Sequence, residues 1–131
     1  MRTLIVDDDL MSRLVLIEFL MDYGKTDVAV DGVEAIVAYK TELQAEDPYN
    51  LILLDIMMPN MDGIEALSKI RKIEDEQNIT LENKAKIIMV TALHDEKTIA
   101  RAIAANCNAY LTKPVSPKEL YSKLAEFKLI D

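Results

Sequence analysis

Short, mostly apolar runs alternate with longer stretches of helical periodicity along this chain. The runs cover residues 3–6, 26–30, 51–54, 85–90 and 109–111. Runs of this kind, bounded by polar or turn-forming residues, are typical of strands that lie inside a sheet. The pattern therefore predicts five strands.

A helix is predicted after each strand. Apolar side chains recur at helical spacing in the first helix, which Gly24 closes. The second and last helices are predicted to turn their recurring apolar side chains inward. The recurring positions are Leu10, Leu14, Ile17 and Met21 in the first helix, Val33, Ile36 and Val37 in the second, Ile64, Leu67 and Ile70 in the third, and Leu120, Leu124 and Phe127 in the last.

Cap-forming side chains mark where three of these helices begin. Asp31 is followed three residues later by Glu34, the spacing of a capping box. Asp95 can cap the fourth helix, which is predicted to continue through residue 105. Ser116 and Glu119 form a second capping box, with a proline at the first helical position between them.

Strands that alternate with helices favour a parallel sheet with helices on both of its faces. The sequence thus indicates an α/β fold with a single doubly wound sheet. Its 131 residues suit one domain, 1–131, with no output domain. Because the chain stops right after the fifth helix, output through protein contacts is expected, unless the chain is an excised fragment. Met1 suggests a natural start, so this alternative concerns only the carboxyl end.

One polar stretch, residues 74–84, interrupts the alternation and is the one candidate linker. It is longer than the usual connection between a helix and a strand. It could extend the third helix or contact a partner, but an inert surface loop is the default expectation.

Composition narrows the possible functions. The 23 acidic residues outnumber the 15 lysines and arginines, giving a net charge of −8 that disfavours direct binding to nucleic acid. A single cysteine cannot form an intramolecular disulfide, which favours a reducing compartment. No segment is predicted to direct export or to span a membrane, so a cytoplasmic protein is expected.

Reactive side chains follow four of the five predicted strands. Ligands of open parallel sheets bind beyond the carboxyl ends of the strands, so these positions are candidates for a functional site. If the first and third strands are neighbours, the carboxylates that follow them converge in one pocket. The residues are Asp7 and Asp8 after the first strand, Asp55 after the third, Thr91 after the fourth and Lys113 after the fifth.

Carboxylates gathered in this way repel one another. At ~5 Å and an effective dielectric constant of ~20, each pair costs about 3 kcal/mol, so the cluster must bind a cation or hold a proton. Carboxylate oxygens with open positions suit Mg²⁺. Together with a lysine, a hydroxyl donor and a free aspartate, this set of groups favours phosphoryl transfer to a carboxylate.

Four sequence blocks resemble the signature blocks of response-regulator receiver domains, as in chemotaxis regulators of two-component systems. They are LIVDDD at 4–9, LLDIMMPNMDG at 53–63, VTA at 90–92 and YLTKPV at 110–115. Their order, and their positions at the ends of the predicted strands, make a chance match improbable. The resemblance implies a flavodoxin-like (βα)5 fold with strand order 2-1-3-4-5.

The resemblance also implies a role for each matching residue in the acidic pocket. Asp55 is the expected phosphate acceptor and a ligand of Mg²⁺. Asp8 is expected to bind the ion directly and Asp7 through a water molecule. The backbone carbonyl of Met57 is expected to complete the protein ligands.

Further residues are implied to sense the phosphoryl group. Thr91 is expected to donate a hydrogen bond to it, and Lys113 to pair with it. The peptide bond between Lys113 and Pro114 is expected to be cis. Tyr110 is expected to act with Thr91 as a switch, its ring moving inward or outward as the threonine moves.

The implied function is a signalling switch and not an enzyme acting on other substrates. A histidine kinase or phosphotransfer protein would supply the phosphoryl group, the domain would catalyse its own phosphorylation and slow dephosphorylation, and contacts with a downstream protein would change. A monomer or a phosphorylation-dependent dimer is expected, without nucleic acid or membrane as a partner.

Two other functions fit parts of the pattern. A receiver-shaped interaction domain that ignores phosphorylation would lack the acceptor or the lysine, and both Asp55 and Lys113 are present. A hydrolase with an aspartyl-phosphate intermediate would need an acid or base for the attacking water. The best-known enzymes of that kind place an aspartate two residues after the nucleophile, where this chain has Met57.

Four other residues have simpler interpretations. Asp9 is predicted to cap the first helix instead of binding metal. His94 is expected to be a surface residue, and Cys107 a small apolar residue without reactivity. Asn106 stands where receiver domains often carry glycine, and asparagine tolerates the left-handed backbone conformation that ends a helix.

Overall fold

The five apolar runs form one parallel sheet in the computed structural model, which describes residues 1–131. The strand order is β2-β1-β3-β4-β5, and every pair is parallel, as predicted. Four of the strands differ from the predicted ranges, each by one residue at one or both ends, and β3 agrees with its range. The strands are β1 (Arg2–Val6), β2 (Lys25–Ala29), β3 (Leu51–Leu54), β4 (Lys86–Thr91) and β5 (Ala109–Thr112).

A helix follows each strand, and each begins where a side-chain oxygen accepts the backbone N–H group three residues on. These contacts satisfy N–H groups that the first turn of a helix leaves without a partner. None of the helices has the length and apolar character needed to cross a bilayer. The helices are α1 (Leu10–Leu20), α2 (Gly32–Gln44), α3 (Gly63–Glu76), α4 (Glu96–Ala104) and α5 (Pro117–Glu126), and their capping residues are Asp9, Asp31, Asp62, Asp95 and Ser116.

The helices cover the sheet on both faces and enclose two apolar layers. On one face Ile52 and Leu54 of β3 pack in the same cluster as Leu67 of α3, together with residues of α2 and α4. On the other face Leu53 packs in a cluster with Leu16 of α1, together with residues of α5. Because alternate side chains of a strand point to opposite faces, one apolar strand contributes to both layers.

The inward face of α2 differs from the prediction. Val33 and Val37 are 46% and 60% exposed, whereas Ala35 and Tyr39 are buried. The first residue, Gly32, determines this orientation, because a Cβ atom there would lie 2.8 Å from Met61 side-chain and backbone atoms. Positions 32, 35 and 39 share one side of a helix, so the glycine and the two buried residues all turn toward the protein.

The recurring apolar positions of the first helix are mostly exposed. Leu10, Leu14 and Met21 are 56%, 48% and 69% exposed, and the buried side chains are Leu16 and Leu20. Apolar residues occur on all sides of this helix, so their spacing does not distinguish the buried stripe from the exposed one.

Residues 74–84 are not the inert loop of the default prediction. Helix α3 continues to Glu76, and a 3₁₀ turn follows at Leu81–Asn83. The carboxylate of Glu74 is fully buried. It accepts hydrogen bonds from the Arg71 guanidinium at 2.7 Å, the Ala85 backbone N–H at 2.8 Å and the Tyr39 hydroxyl at 3.2 Å.

The guanidinium of Arg71 extends this buried network to the loop between α4 and β5. It donates to the backbone oxygens of Ala85 and Asn106 at 2.9 and 3.0 Å, and to the Asn108 side chain at 2.8 Å. Asn106 ends α4 with a φ of 71°, the left-handed conformation expected for it. The network therefore joins α3, β4 and the α4–β5 loop at the amino-terminal edge of the sheet.

A second arginine organises the same edge of the sheet. Arg2, 9% exposed, forms ion pairs with Asp27 at 2.7 Å and with Glu42 and Asp47 at 3.1 Å. Its guanidinium carbon also lies 4.9 Å from the centre of the Tyr49 ring. The amino-terminal edge is thus held by side chains whose charges are paired within the protein.

The buried Arg71–Glu74 pair gives the first testable prediction. Glu74→Ala should lower the free energy of unfolding by about 3–5 kcal/mol, because it leaves a largely buried guanidinium without its carboxylate. The matched control is Asp75→Ala, which removes the neighbouring exposed carboxylate and its contact with Lys84. That change should cost less than about 1 kcal/mol. Equal losses in urea unfolding would contradict a specific role for the buried pair.

Candidate functional site

The candidate site lies at the carboxyl edge of the sheet, where β1 and β3 end side by side. Val6 pairs with Leu54 in this register, so the next residues of the two strands, Asp7 and Asp55, are neighbours. The backbone N–H of Asp55 donates to the Val6 oxygen at 2.9 Å, which continues the ladder by one residue. The parallel register therefore brings these two carboxylates together.

Three carboxylates form one cluster at this edge. Oxygen atoms of Asp7, Asp8 and Asp55 all lie within 4.8 Å of one another. Asp7 and Asp55 are 2% and 6% exposed, whereas Asp8 is open to solvent. The cluster thus combines two buried carboxylates with an accessible one, and its donors are all oxygen atoms, the ligand type that Mg²⁺ prefers.

Lys113 lies between the two buried carboxylates. Its Nζ donates to Asp7 Oδ2 at 2.7 Å and to Asp55 Oδ2 at 3.0 Å. The residue follows β5, and its backbone N–H is held by the Thr91 oxygen at 2.9 Å. The peptide bond between Lys113 and Pro114 is cis. Three carboxylates and one ammonium give the cluster a formal charge of −2, which suits a divalent cation.

Burial and hydrogen bonding shift the pKa values of Asp7 and Lys113. Burial raises the pKa of Asp7, and the hydrogen bond from Lys113 lowers it by less, so the net shift is upward. Burial alone would lower the pKa of Lys113, but its hydrogen bonds to Asp7 and Asp55 outweigh that effect and raise it. Lys113 is therefore a permanent positive charge at neutral pH.

Gly63 allows the backbone of Asp55 to approach α3 closely. A Cβ atom at this position would lie 1.9 Å from the Asp55 carbonyl oxygen. The Gly63 N–H donates to the Ile56 oxygen at 2.9 Å, and the Ile56 N–H donates to Asp55 Oδ1 at 2.7 Å. Gly63 had no predicted role beyond its place at the end of the block at 53–63. A glycine directly after the capping Asp62, where most residue types are tolerated, was the available signal.

Thr91 and Tyr110 both contact the backbone of Leu93. The Thr91 side chain is 1% exposed, and its Oγ1 accepts the Leu93 N–H at 3.3 Å. The Tyr110 hydroxyl donates to the Leu93 oxygen at 2.7 Å. Burial raises the pKa of Tyr110, so this hydroxyl remains a donor at neutral pH. The loop between β4 and α4 is thus attached to the sheet at one residue from two sides.

The remaining candidates lie at the margin of the site or outside it. Asp9 caps α1 as predicted, accepting from the Ser12 N–H at 2.9 Å and its hydroxyl at 2.8 Å. The Met57 side chain is 64% exposed, and His94 is a surface residue. Cys107 packs against the core, and burial raises the pKa of its thiol, as expected of an unreactive cysteine.

Known proteins are similar to this chain in sequence and in fold. The chain is 33% identical over 126 residues to chemotaxis protein CheY of Treponema pallidum, covering 95% of this chain and 80% of that protein. It is 35% identical over 129 residues to the peroxide stress-activated histidine kinase mak2 of Schizosaccharomyces pombe, covering 98% of this chain but 5% of the kinase. Among solved structures, a complex of CheX, CheY, BeF3 and Mg²⁺ from Borrelia burgdorferi gives a TM-score of 0.82 at 27% identity, covering 96% of this chain and 88% of that one.

The family model described as the response regulator receiver domain matches residues 3–125. The match begins in β1 and ends in α5, so it includes every strand and every residue of the acidic cluster. Because the fold, the strand order and this match agree over nearly the whole chain, the protein belongs to the response regulator receiver domain family and is a receiver of two-component phosphorelay signalling.

Proposed function

We propose that this receiver accepts a phosphoryl group on Asp55, in a reaction that depends on Mg²⁺, and that the modification changes its contacts with other proteins. One observation carries the proposal: the Asp55 carboxylate lies within an acidic cluster and contacts the ammonium group of Lys113 at 3.0 Å. The ammonium group of Lys113 could contact a phosphoryl oxygen without leaving the pocket, because it already contacts both buried carboxylates.

Mg²⁺ would be held by Asp8 and Asp55 directly, by Asp7 through a water molecule, and by the backbone carbonyl of Met57. The exposed position of Asp8 and the spacing of the three carboxylates support this assignment. When bound, the ion would neutralise oxygens of the phosphoryl group that is being transferred. The negative charge in excess of Lys113 gives such an ion its electrostatic attraction to the site.

The chain's own residues supply the nucleophile and its stabilising contacts. A carboxylate oxygen of Asp55 would attack phosphorus while the bond from phosphorus to the donor histidine nitrogen breaks. Lys113 would then pair with a phosphoryl oxygen. The Thr91 hydroxyl would donate to another, since its oxygen already accepts the Leu93 N–H and its hydrogen remains available.

The same contacts suggest how phosphorylation reaches the surface. When the Thr91 hydroxyl turns toward the phosphoryl group, its oxygen would move from its present position 3.3 Å from the Leu93 nitrogen, which weakens that hydrogen bond. Leu93 then depends on its other contact, the hydrogen bond from Tyr110 to its oxygen. We infer that Thr91 and Tyr110 act together on the β4–α4 loop, and that the repositioned loop alters the surface offered to a downstream protein.

The phosphoryl donor is a histidine kinase or a phosphotransfer protein, and it would dock on α1. Asp55 is only 6% exposed, so a donor protein must cover the rim of the pocket to reach it. Met11 and Val15, 65% and 42% exposed, form an apolar part of that rim and share a cavity of about 410 Å³ with Lys113. An apolar surface that adjoins the reacting group suits transient docking of the donor.

Phosphoryl labelling tests the acceptor. Incubation with phosphoramidate and Mg²⁺ should add one phosphoryl group to the wild-type protein by intact-mass analysis, and none to Asp55→Ala. Chelation of the metal by EDTA should abolish labelling of the wild type. Asp9→Asn is the matched control, because asparagine also caps helices and the Asp9 carboxylate accepts hydrogen bonds only from Ser12. Labelling of Asp55→Ala would refute the assignment.

Removing one charge from the cluster should stabilise the metal-free protein. Asp55→Asn relieves two carboxylate repulsions and loses one attraction to Lys113, so a net gain of about 1 kcal/mol is expected at an effective dielectric constant of ~20. Thermal melts without Mg²⁺ should show a higher Tm for the variant. Added Mg²⁺ should stabilise the wild type more than the variant. A lower Tm for Asp55→Asn in the absence of metal would contradict the repulsion.

Docking on α1 is tested by comparing two donors. Val15→Glu should slow transfer from an autophosphorylated histidine kinase that labels the wild type by about tenfold or more, because a carboxylate would be buried at an apolar contact. Labelling by phosphoramidate should be unchanged. Met21→Glu, at the residue that caps the carboxyl end of α1 and is 69% exposed, is the matched control. If both variants slow the protein donor equally, the rim is not the docking surface.

A further inference from the structure

A groove runs along the crevice between α2 and α3. Two cavities, of about 360 and about 420 Å³, lie in this crevice. Both are lined by Lys40, Ile73 and Glu76, so they are successive parts of one groove. The first part is bordered at α2 by Val33 and the second ends near Gln77. We call this surface the α2–α3 groove.

The floor of the α2–α3 groove is apolar and uncovered. Val33 and Val37 are 46% and 60% exposed, and Ile36, Met61 and Ile73 are half-buried beside them. The valines are the α2 residues that the sequence predicted to face inward, whereas the core uses the other side of that helix. Apolar side chains that lie side by side between two helices, and that the fold does not cover, offer a floor for an apolar partner.

The rim of the α2–α3 groove is basic, although the protein as a whole is acidic. Lys40, Lys69 and Lys72 line it, against a single acidic residue, Glu76. The Nζ of Lys72 lies 3.9 Å from the Glu76 carboxylate, and both side chains are exposed, so this pair is weak. The lining therefore carries a positive excess on a chain of net charge −8.

We propose that the α2–α3 groove binds an acidic amphipathic helix of a partner protein. The apolar floor between two helices matches the apolar stripe of a third helix, whose anchors recur at i, i+3, i+4 and i+7. The three lysines match acidic residues that flank such a stripe. The acidic residues on elements away from the groove oppose such a partner little, because the Debye length at physiological ionic strength is ~8 Å.

This surface is separate from the one proposed for the phosphoryl donor. The groove belongs to the face of the sheet covered by α2, α3 and α4, whereas α1 covers the opposite face. Both surfaces can therefore be occupied at once. Binding to the groove does not require the phosphorylation of Asp55, so the two proposals stand or fall on different measurements.

The experiment uses the full chain and a designed probe. The probe is a fluorescein-labelled amphipathic peptide of about 18 residues, with leucines at i, i+3, i+4 and i+7 and glutamates at the flanking positions. Anisotropy titration should show saturable binding that weakens as salt is added. Lys69→Glu with Lys72→Glu should raise Kd about tenfold, since two attractive charges become repulsive. Val37→Ser should also weaken binding, through loss of apolar contact.

The matched control carries the same change of charge elsewhere. Lys97→Glu with Lys118→Glu reverses two exposed lysines on α4 and α5. Its Kd should stay within about twofold of the wild type, since these charges lie on other elements and are screened. Thermal melts of all variants verify that they remain folded. The labelling of Asp55 by phosphoramidate should be the same in both double variants.

Four results would overturn the proposal. They are a peptide with lysines in place of the glutamates that binds equally well, a control variant that loses as much affinity as the groove variant, self-association of the protein through the groove in sedimentation, and lysine-dependent binding to phosphatidylserine vesicles without peptide binding. The third result would assign the surface to a second copy of this chain, and the fourth to a membrane.

Discussion

Two buried carboxylates share the ammonium group of Lys113, and the geometry of the functional edge depends on that interaction. The parallel register of β1 and β3 makes Asp7 and Asp55 neighbours, an arrangement that is unfavourable without a compensating charge. The compensating lysine comes from beyond β5, and its backbone is fixed by Thr91 at the end of β4. Four of the five strands therefore contribute to one electrostatic balance.

The two edges of the sheet differ in how their buried charges are contacted. At the amino-terminal edge Arg2 and Arg71 are surrounded by carboxylates and backbone oxygens of the protein itself. At the carboxyl edge Lys113 balances only part of the acidic cluster. Buried guanidinium groups that each donate to several acceptors favour a fixed structure, whereas two buried carboxylates that share one ammonium respond to cations and phosphoryl groups. The domain thus keeps its rigid and its responsive chemistry at opposite ends.

The sequence predicted the elements and the acidic pocket well because both depend on local signals. Strands of four to six residues are recognisable in the sequence as short apolar runs. Asp31 and Ser116 cap their helices as expected. The inward face of α2 was predicted wrongly, since apolar residues on several sides leave the rotation of a helix undetermined. The buried role of Glu74 was missed for a related reason. A glutamate in a polar stretch gives no sign that an arginine and a tyrosine from two helices will surround it.

The contact between Gly63 and the carbonyl oxygen of Asp55 has a consequence for how this domain moves. Helix α3 begins in direct contact with the main chain of the proposed acceptor, with no side chain between them. A displacement of one should therefore move the other, because close-packed groups transmit strain. Helix α3 also forms one wall of the α2–α3 groove. A ligand bound in that groove and a chemical change at Asp55 would therefore both act on the position of α3.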